Sequence, residues 1–191
     1  MTIVVLGWGS LCWDPRKLRI RDGWHDDGPH LPVEFARVSS DGRLTLVLSE
    51  AKDVQVLWAR MDTTTVNEAI DNLRERECCE KKYIGCVDLD NPNSNNCKAI
   101  PKTLDVIKQW TANNNLDATI WTDLSANFHK KTEMEFNEEK VIEYLSNLDS
   151  DCKKRAKEYI RKTPCQVKTK MRSIIEEKLK WGYTLPYMSS E

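Results

Sequence analysis

The chain has 191 residues, 40% hydrophobic and 31% charged, with 29 basic against 30 acidic side chains for a formal net charge of -1. That length can bury a core in one domain, and the charge balance gives no electrostatic reason to expect nucleic acid or a membrane surface as partner. No apolar run reaches the length of a transmembrane helix, and seven cysteines without a paired C-x-x-C spacing argue against a zinc site and for reduced cytosolic thiols.

Met1 to Leu11 is apolar but lacks a basic n-region and contains Gly-Trp-Gly-Ser, so it reads as a buried strand entering a turn and not as a signal peptide. Within it, Ile3 to Leu6 is a continuous apolar run closed by Gly7, the pattern of a strand covered on both faces. A long loop follows. Leu31 to Val38 and Arg43 to Ser49 then read as two strands around the Ser39-Ser40-Asp41-Gly42 turn, and Val54 to Met61 as another.

From Thr63 the apolar spacing becomes helical as far as Glu77, with Glu68 three residues after Thr65 as in a capping box. Lys82 to Leu89 reads as a strand and Asp90 to Asn96 as a loop. Pro101 to Asn113 reads as a helix and Ala118 to Thr122 as a strand. Glu138 to Leu148, Asp151 to Arg161 and Lys168 to Leu179 read as charged helices. The chain is therefore expected to be one mixed α/β (α+β) domain spanning residues 1–191, strand-rich early and helix-rich after about residue 100.

Two motifs carry candidate chemistry. In Val5-Leu6-Gly7-Trp8-Gly9-Ser10-Leu11, glycines stand where a buried strand ends, so the backbone can approach a ligand closely and aim successive N–H groups at one oxyanion. The pattern is neither a dinucleotide fingerprint nor a P-loop, and a plain tight turn is the competing reading. The second motif is the end of the Thr65 helix. At about 100° per residue, Val66, Ala69, Ile70 and Leu73 form one stripe, Glu77 falls within it, and Arg74, Glu75 and Arg76 are expected elsewhere.

A carboxylate facing inward at a helix C-terminus is held against both burial and the helix dipole. That cost suits a group that takes and returns a proton. Two other readings stay open: an ion pair with Arg37 or Arg60, or a frayed helix end that leaves Glu77 in water.

A first strand running into an aromatic-Gly-Ser-Leu turn, here Gly7-Trp8-Gly9-Ser10-Leu11 followed by Trp13, resembles the γ-glutamylcyclotransferase superfamily. Leu73, Arg76 and Glu77 resemble the leucine-x-x-arginine-glutamate segment of its ChaC-like branch, after strands in the matching order. The resemblance covers roughly the first half of the chain. Trp8 replaces the usual tyrosine, keeping the aromatic wall and losing the phenol.

The resemblance implies a mixed sheet around a small, partly closed barrel, with no metal or organic cofactor. It implies release of 5-oxoproline from a small γ-glutamyl peptide or amine, glutathione among the candidates, by attack of the α-amine on the γ-carbonyl. Residues Val5, Leu6, Gly7, Trp8, Gly9, Ser10 and Leu11 would bind the γ-glutamyl part, with Glu77 as general acid and base. The alternatives are a binding module that keeps the fold without turnover, or a related enzyme on another γ-glutamyl metabolite.

Cys12 is expected to line the pocket as an unactivated thiol. The segments Ile120 to Phe128 and Thr163 to Val167 would supply a lid or wall, or else pack Trp121 and Phe128 into the core. His25, His30 and His129 have no metal spacing and receive no role.

Overall fold

Strand β1 (Ile3–Gly7) is buried along its whole length. In this computed structural model, which describes residues 1–182, it is the middle strand of five. The last residues of the 1–191 domain expectation lie outside the described part. β1 pairs antiparallel with β7 (Leu57–Met61) and parallel with β9 (Ala118–Thr122). The edge strands are β2 (Ile20–His25) beside β7 and β8 (Ile84–Asp88) beside β9, giving the order β2-β7-β1-β9-β8.

Alternation along β1 divides the core. Ile3 and Val5 face Ala69, Ile70 and Leu73 of helix α1 (Val66–Glu77), whereas Val4 and Leu6 join a larger cluster on the other face. That second face is covered by the ribbon β4 (Val33–Val38) and β5 (Leu44–Leu48) and by later helices. They include α2 (Thr103–Asn113), α4 (Glu138–Asn147), α5 (Ser150–Lys162) and α6 (Lys170–Leu179). A short helix α3 (Phe128–Thr132), absent from the sequence reading, lies against β4. The fold is thus mixed α and β, with a mixed sheet and six α-helices among the described residues.

The sheet does not close into a barrel among these residues. Its edges, β2 and β8, remain unjoined, and the remaining strands form two separate ribbons. One strand expected over Val54 to Met61 is split. β6 (Val54–Gln55) pairs with β3 (His30–Leu31), and the chain turns at Val56, whose N–H donates to Pro29 O at 3.1 Å. Pro32, which has no N–H to give a ladder, likewise separates β3 from β4.

β2 was expected as loop. Asp22 and Gly23 have φ of 59° and 76°, and they interrupt the register of this exposed edge strand. No helix among the described residues is long and apolar enough to cross a membrane.

Candidate active site

β1 ends at Gly7, and the chain then bends into a single 3-10 turn over Ser10–Cys12. Carbonyls of this turn are used internally: Gly9 O accepts from Cys12 N–H, and Ser10 O from Asp14 N–H. Two N–H groups here are not. Among the described residues, the N–H groups of Gly9 and Leu11 meet no protein acceptor. The turn therefore presents donors outward while Trp8, buried to 5% exposure, anchors it by donating from Nε1 to Leu46 O.

Helix α1 brings the carboxylate. Its N-terminus is fixed by Thr65, whose Oγ1 accepts from Glu68 N–H, while Glu68 Oε2 reaches back to Thr64 N–H at 2.9 Å. The apolar stripe of Val66, Ala69, Ile70 and Leu73 docks against the sheet. Its C-terminus is closed by Cys78 in the left-handed region, with φ of 51°, so Glu77 is the last helical residue. The helix end consequently lies beside the turn that follows β1.

Glu77 and the turn line one cavity of about 1020 Å³, together with Arg76. Arg76 joins them. Its Nη1 donates to Glu77 Oε1 at 2.6 Å, and its Nη2 donates to Ser10 Oγ at 3.3 Å and to Asp14 O. The Arg76 side chain is only 4% exposed and that of Glu77 18%.

This corrects two expectations from the sequence. Arg76 points inward, and the inward carboxylate is compensated by its own neighbour in sequence instead of by Arg37 or Arg60. The signal was present: Arg76 follows Ala69 by seven residues, nearly two full helical turns, so it shares that face.

Five of the turn residues named from the sequence, Gly7, Trp8, Gly9, Ser10 and Leu11, line the cavity, as does Leu6. Val5 does not. It packs under α1 on the opposite face of the sheet, because side chains alternate along a strand. Cys12 is also off the cavity. Its Sγ lies against Gly7, and burial pushes the thiol up to about 12 despite the opposing pull of Arg76. The thiols that do line the cavity are Cys78 and Cys79, and burial followed by the charge of Glu77 raises Cys79 to about 11.

Several cavity residues were missed by sequence reasoning because they arrive from distant elements. Tyr159 of α5 reaches the turn past β5, accepting from Leu46 N–H at 3.4 Å. Burial pushes its phenol up to about 12, against the pull of the Leu46 and Ser10 amides. Trp13 and Phe35 pack edge-on to its ring.

The segment before α3 forms another wall. Asn127 accepts from Val38 N–H at 2.7 Å and donates to Val38 O at 3.1 Å, fastening that segment to β4. Leu124, Ser125 and Ala126 line the cavity, but Trp121 is buried against Gly85 and Phe128 against Phe136 and Tyr144. The Thr163 to Val167 segment lies away from the cavity, its carbonyls taken by Arg172.

Among the described residues, no three His, Cys, Asp or Glu side chains are grouped to hold a metal ion. His25 stacks on Trp58 at 4.3 Å. No protein-family model, no curated protein and no solved structure matches the chain.

The arrangement can perform two kinds of work. Open N–H groups of a tight turn can hold a carboxylate or a developing oxyanion. A half-buried carboxylate beside them, kept in place by a guanidinium, can exchange protons with a bound amine.

Proposed function

We propose that this chain is an enzyme of the γ-glutamylcyclotransferase type. The observation that supports this most is the joining, through one arginine, of the Ser10 hydroxyl and the Glu77 carboxylate in a single cavity, although Ser10 and Arg76 are 66 residues apart in sequence.

In the proposed reaction, Glu77 takes a proton from the α-ammonium of a γ-glutamyl compound. The freed amine attacks the γ-carbonyl, and a new C–N bond closes the five-membered ring. Negative charge on the former carbonyl oxygen is received by the Gly9 and Leu11 N–H groups. The old C–N bond breaks as Glu77 returns the proton to the departing nitrogen, the ring nitrogen gives up its second proton through solvent to the released amine, and 5-oxoproline and that amine remain. Because the reactants are tethered, no covalent enzyme intermediate is needed.

A second reading, a small-molecule-binding module without turnover, is favoured by the Arg76–Glu77 contact, since one oxygen of that carboxylate is already occupied by the Arg76 guanidinium.

One experiment separates the two. A panel of γ-glutamyl compounds is assayed for 5-oxoproline with the wild type and with Glu77→Gln, and binding is followed in parallel. The enzyme reading expects turnover that falls by about two to four powers of ten in the variant, with binding retained. Binding without product from either protein supports the module, and binding of none of the compounds overturns both.

A further inference from the structure

Tyr159 brings to the cavity a hydroxyl proton that the protein itself does not use. The residue comes from the buried face of α5, is 6% exposed, and lines the cavity beside the turn. Its phenol oxygen accepts from Leu46 N–H at 3.4 Å, and the Ser10 amide pulls on the same oxygen. A phenol also has one proton to give. Among the described residues, no carbonyl, carboxylate or hydroxyl oxygen accepts it. A buried donor left without an acceptor is costly, and a ligand oxygen in the cavity removes that cost.

The hydroxyl is also held in place. Trp13 and Phe35 pack edge-on to the ring at 5.2 and 6.2 Å, and the Arg43 guanidinium lies 5.5 Å from its centre. The phenol oxygen is so close to Gly9 that a β-carbon there would lie 2.2 Å from it. It is thus fixed against the very residue whose N–H is open. Burial pushes the phenol up to about 12, against the Leu46 amide, and the charge of Glu77 raises it further. The hydroxyl therefore keeps its proton at neutral pH, within the field of the carboxylate assigned as base.

We propose that the Tyr159 hydroxyl is a further catalytic donor, giving a hydrogen bond to the γ-carbonyl oxygen together with the Gly9 and Leu11 N–H groups. This rests on the cyclotransferase reading. It goes further by assigning a side chain from the half of the chain that the resemblance does not cover. The phenol holds its proton throughout. Charge grows on the carbonyl oxygen as the ring closes, and the hydrogen bond strengthens with it. The contact therefore favours the transition state over the bound substrate.

The test is Tyr159→Phe, which keeps the ring and removes the donor. Tyr144→Phe is the control, because the Tyr144 hydroxyl donates to Gly42 O at 2.7 Å and does not line the cavity. Urea unfolding establishes that both variants are folded under assay conditions. Release of 5-oxoproline from glutathione, γ-glutamylalanine and γ-glutamylbutylamine then gives kcat and KM for the three proteins. In Tyr159→Phe, kcat should fall about a hundredfold while KM stays within about threefold. Tyr144→Phe should match wild type in both.

A kcat unchanged in Tyr159→Phe leaves the tyrosine as scaffold and overturns the proposal. A raised KM with kcat unchanged also overturns it, because the hydroxyl then meets a group already charged in the bound substrate. Either result leaves the cyclotransferase reading standing. If wild type releases no 5-oxoproline from any of the three compounds, that reading falls and the donor with it.

Discussion

The phenol oxygen of Tyr159 stands where a side chain on Gly9 would have to be: a β-carbon built on Gly9 would lie 2.2 Å from it. Gly9 has φ of -128°, outside the left-handed region, so space and not backbone conformation excludes other residues there. Tyr159 cannot simply swing away, because Trp13, Phe35 and the guanidinium of Arg43 surround its ring. The glycine of the turn and a tyrosine of a late helix are therefore one fitted unit.

Gly9→Ala should destabilise the protein by about 1–3 kcal/mol, the usual cost of overpacking. Tyr159→Phe should cost about 1 kcal/mol for the lost hydroxyl contact with Leu46. Combined, the two should cost less than their sum, since removal of the hydroxyl makes room for the methyl group. Urea unfolding of the four proteins checks this, and strict additivity would mean that the clash is relieved elsewhere.

Glu77 and Arg76 should also be coupled in stability. With the Arg76 side chain 4% exposed, removing the charge of its partner leaves a buried guanidinium held only by Asp14 O and Ser10 Oγ. Glu77→Gln should therefore lower stability by about 1–3 kcal/mol, because the amide keeps an acceptor oxygen but not the charge. A variant that unfolds at the same denaturant concentration as wild type would show that the pair contributes nothing net.

Acid should act partly through Glu68 at the start of α1. Its carboxyl is lowered from 4.5 to about 2, first by the Thr64 N–H, then by Arg19 and the Thr64 hydroxyl. The folded state holds this proton less tightly than the unfolded chain does. Its contribution is thus present above pH 4.5 and is lost as the pH falls from 4.5 towards about 2. Unfolding measured across that range should show a shallower loss for Glu68→Gln than for wild type. Equal slopes would assign the acid limb to other carboxylates.

The elements legible in the sequence were those with a strong local signal. The unbroken apolar run of β1, the Thr65 cap with its Glu68 partner, the 3.6-residue stripe of α1 and the Asp41-Gly42 turn each carry their cause within a few residues. From these alone the mixed α/β class and the inward phase of Glu77 followed. β2 was passed over within a long loop, because its residues are mostly polar and the left-handed Asp22-Gly23 pair breaks any strand alternation. It is held as a strand only by its pairing with β7.

Only the tertiary structure decided what Glu77 and Gly9 meet. Helical phase gives a direction from an axis, but it does not say which side chain fills the space there. The answer was Arg76 from the same turn of helix and Tyr159 from α5. The wall before α3 arises similarly. Leu124, Ser125 and Ala126 line the cavity because Asn127 binds the backbone of β4, a contact between residues 89 apart in sequence. Local periodicity carries no term for such contacts, since they exist only once the chain has paid the entropy of closing the loop between them.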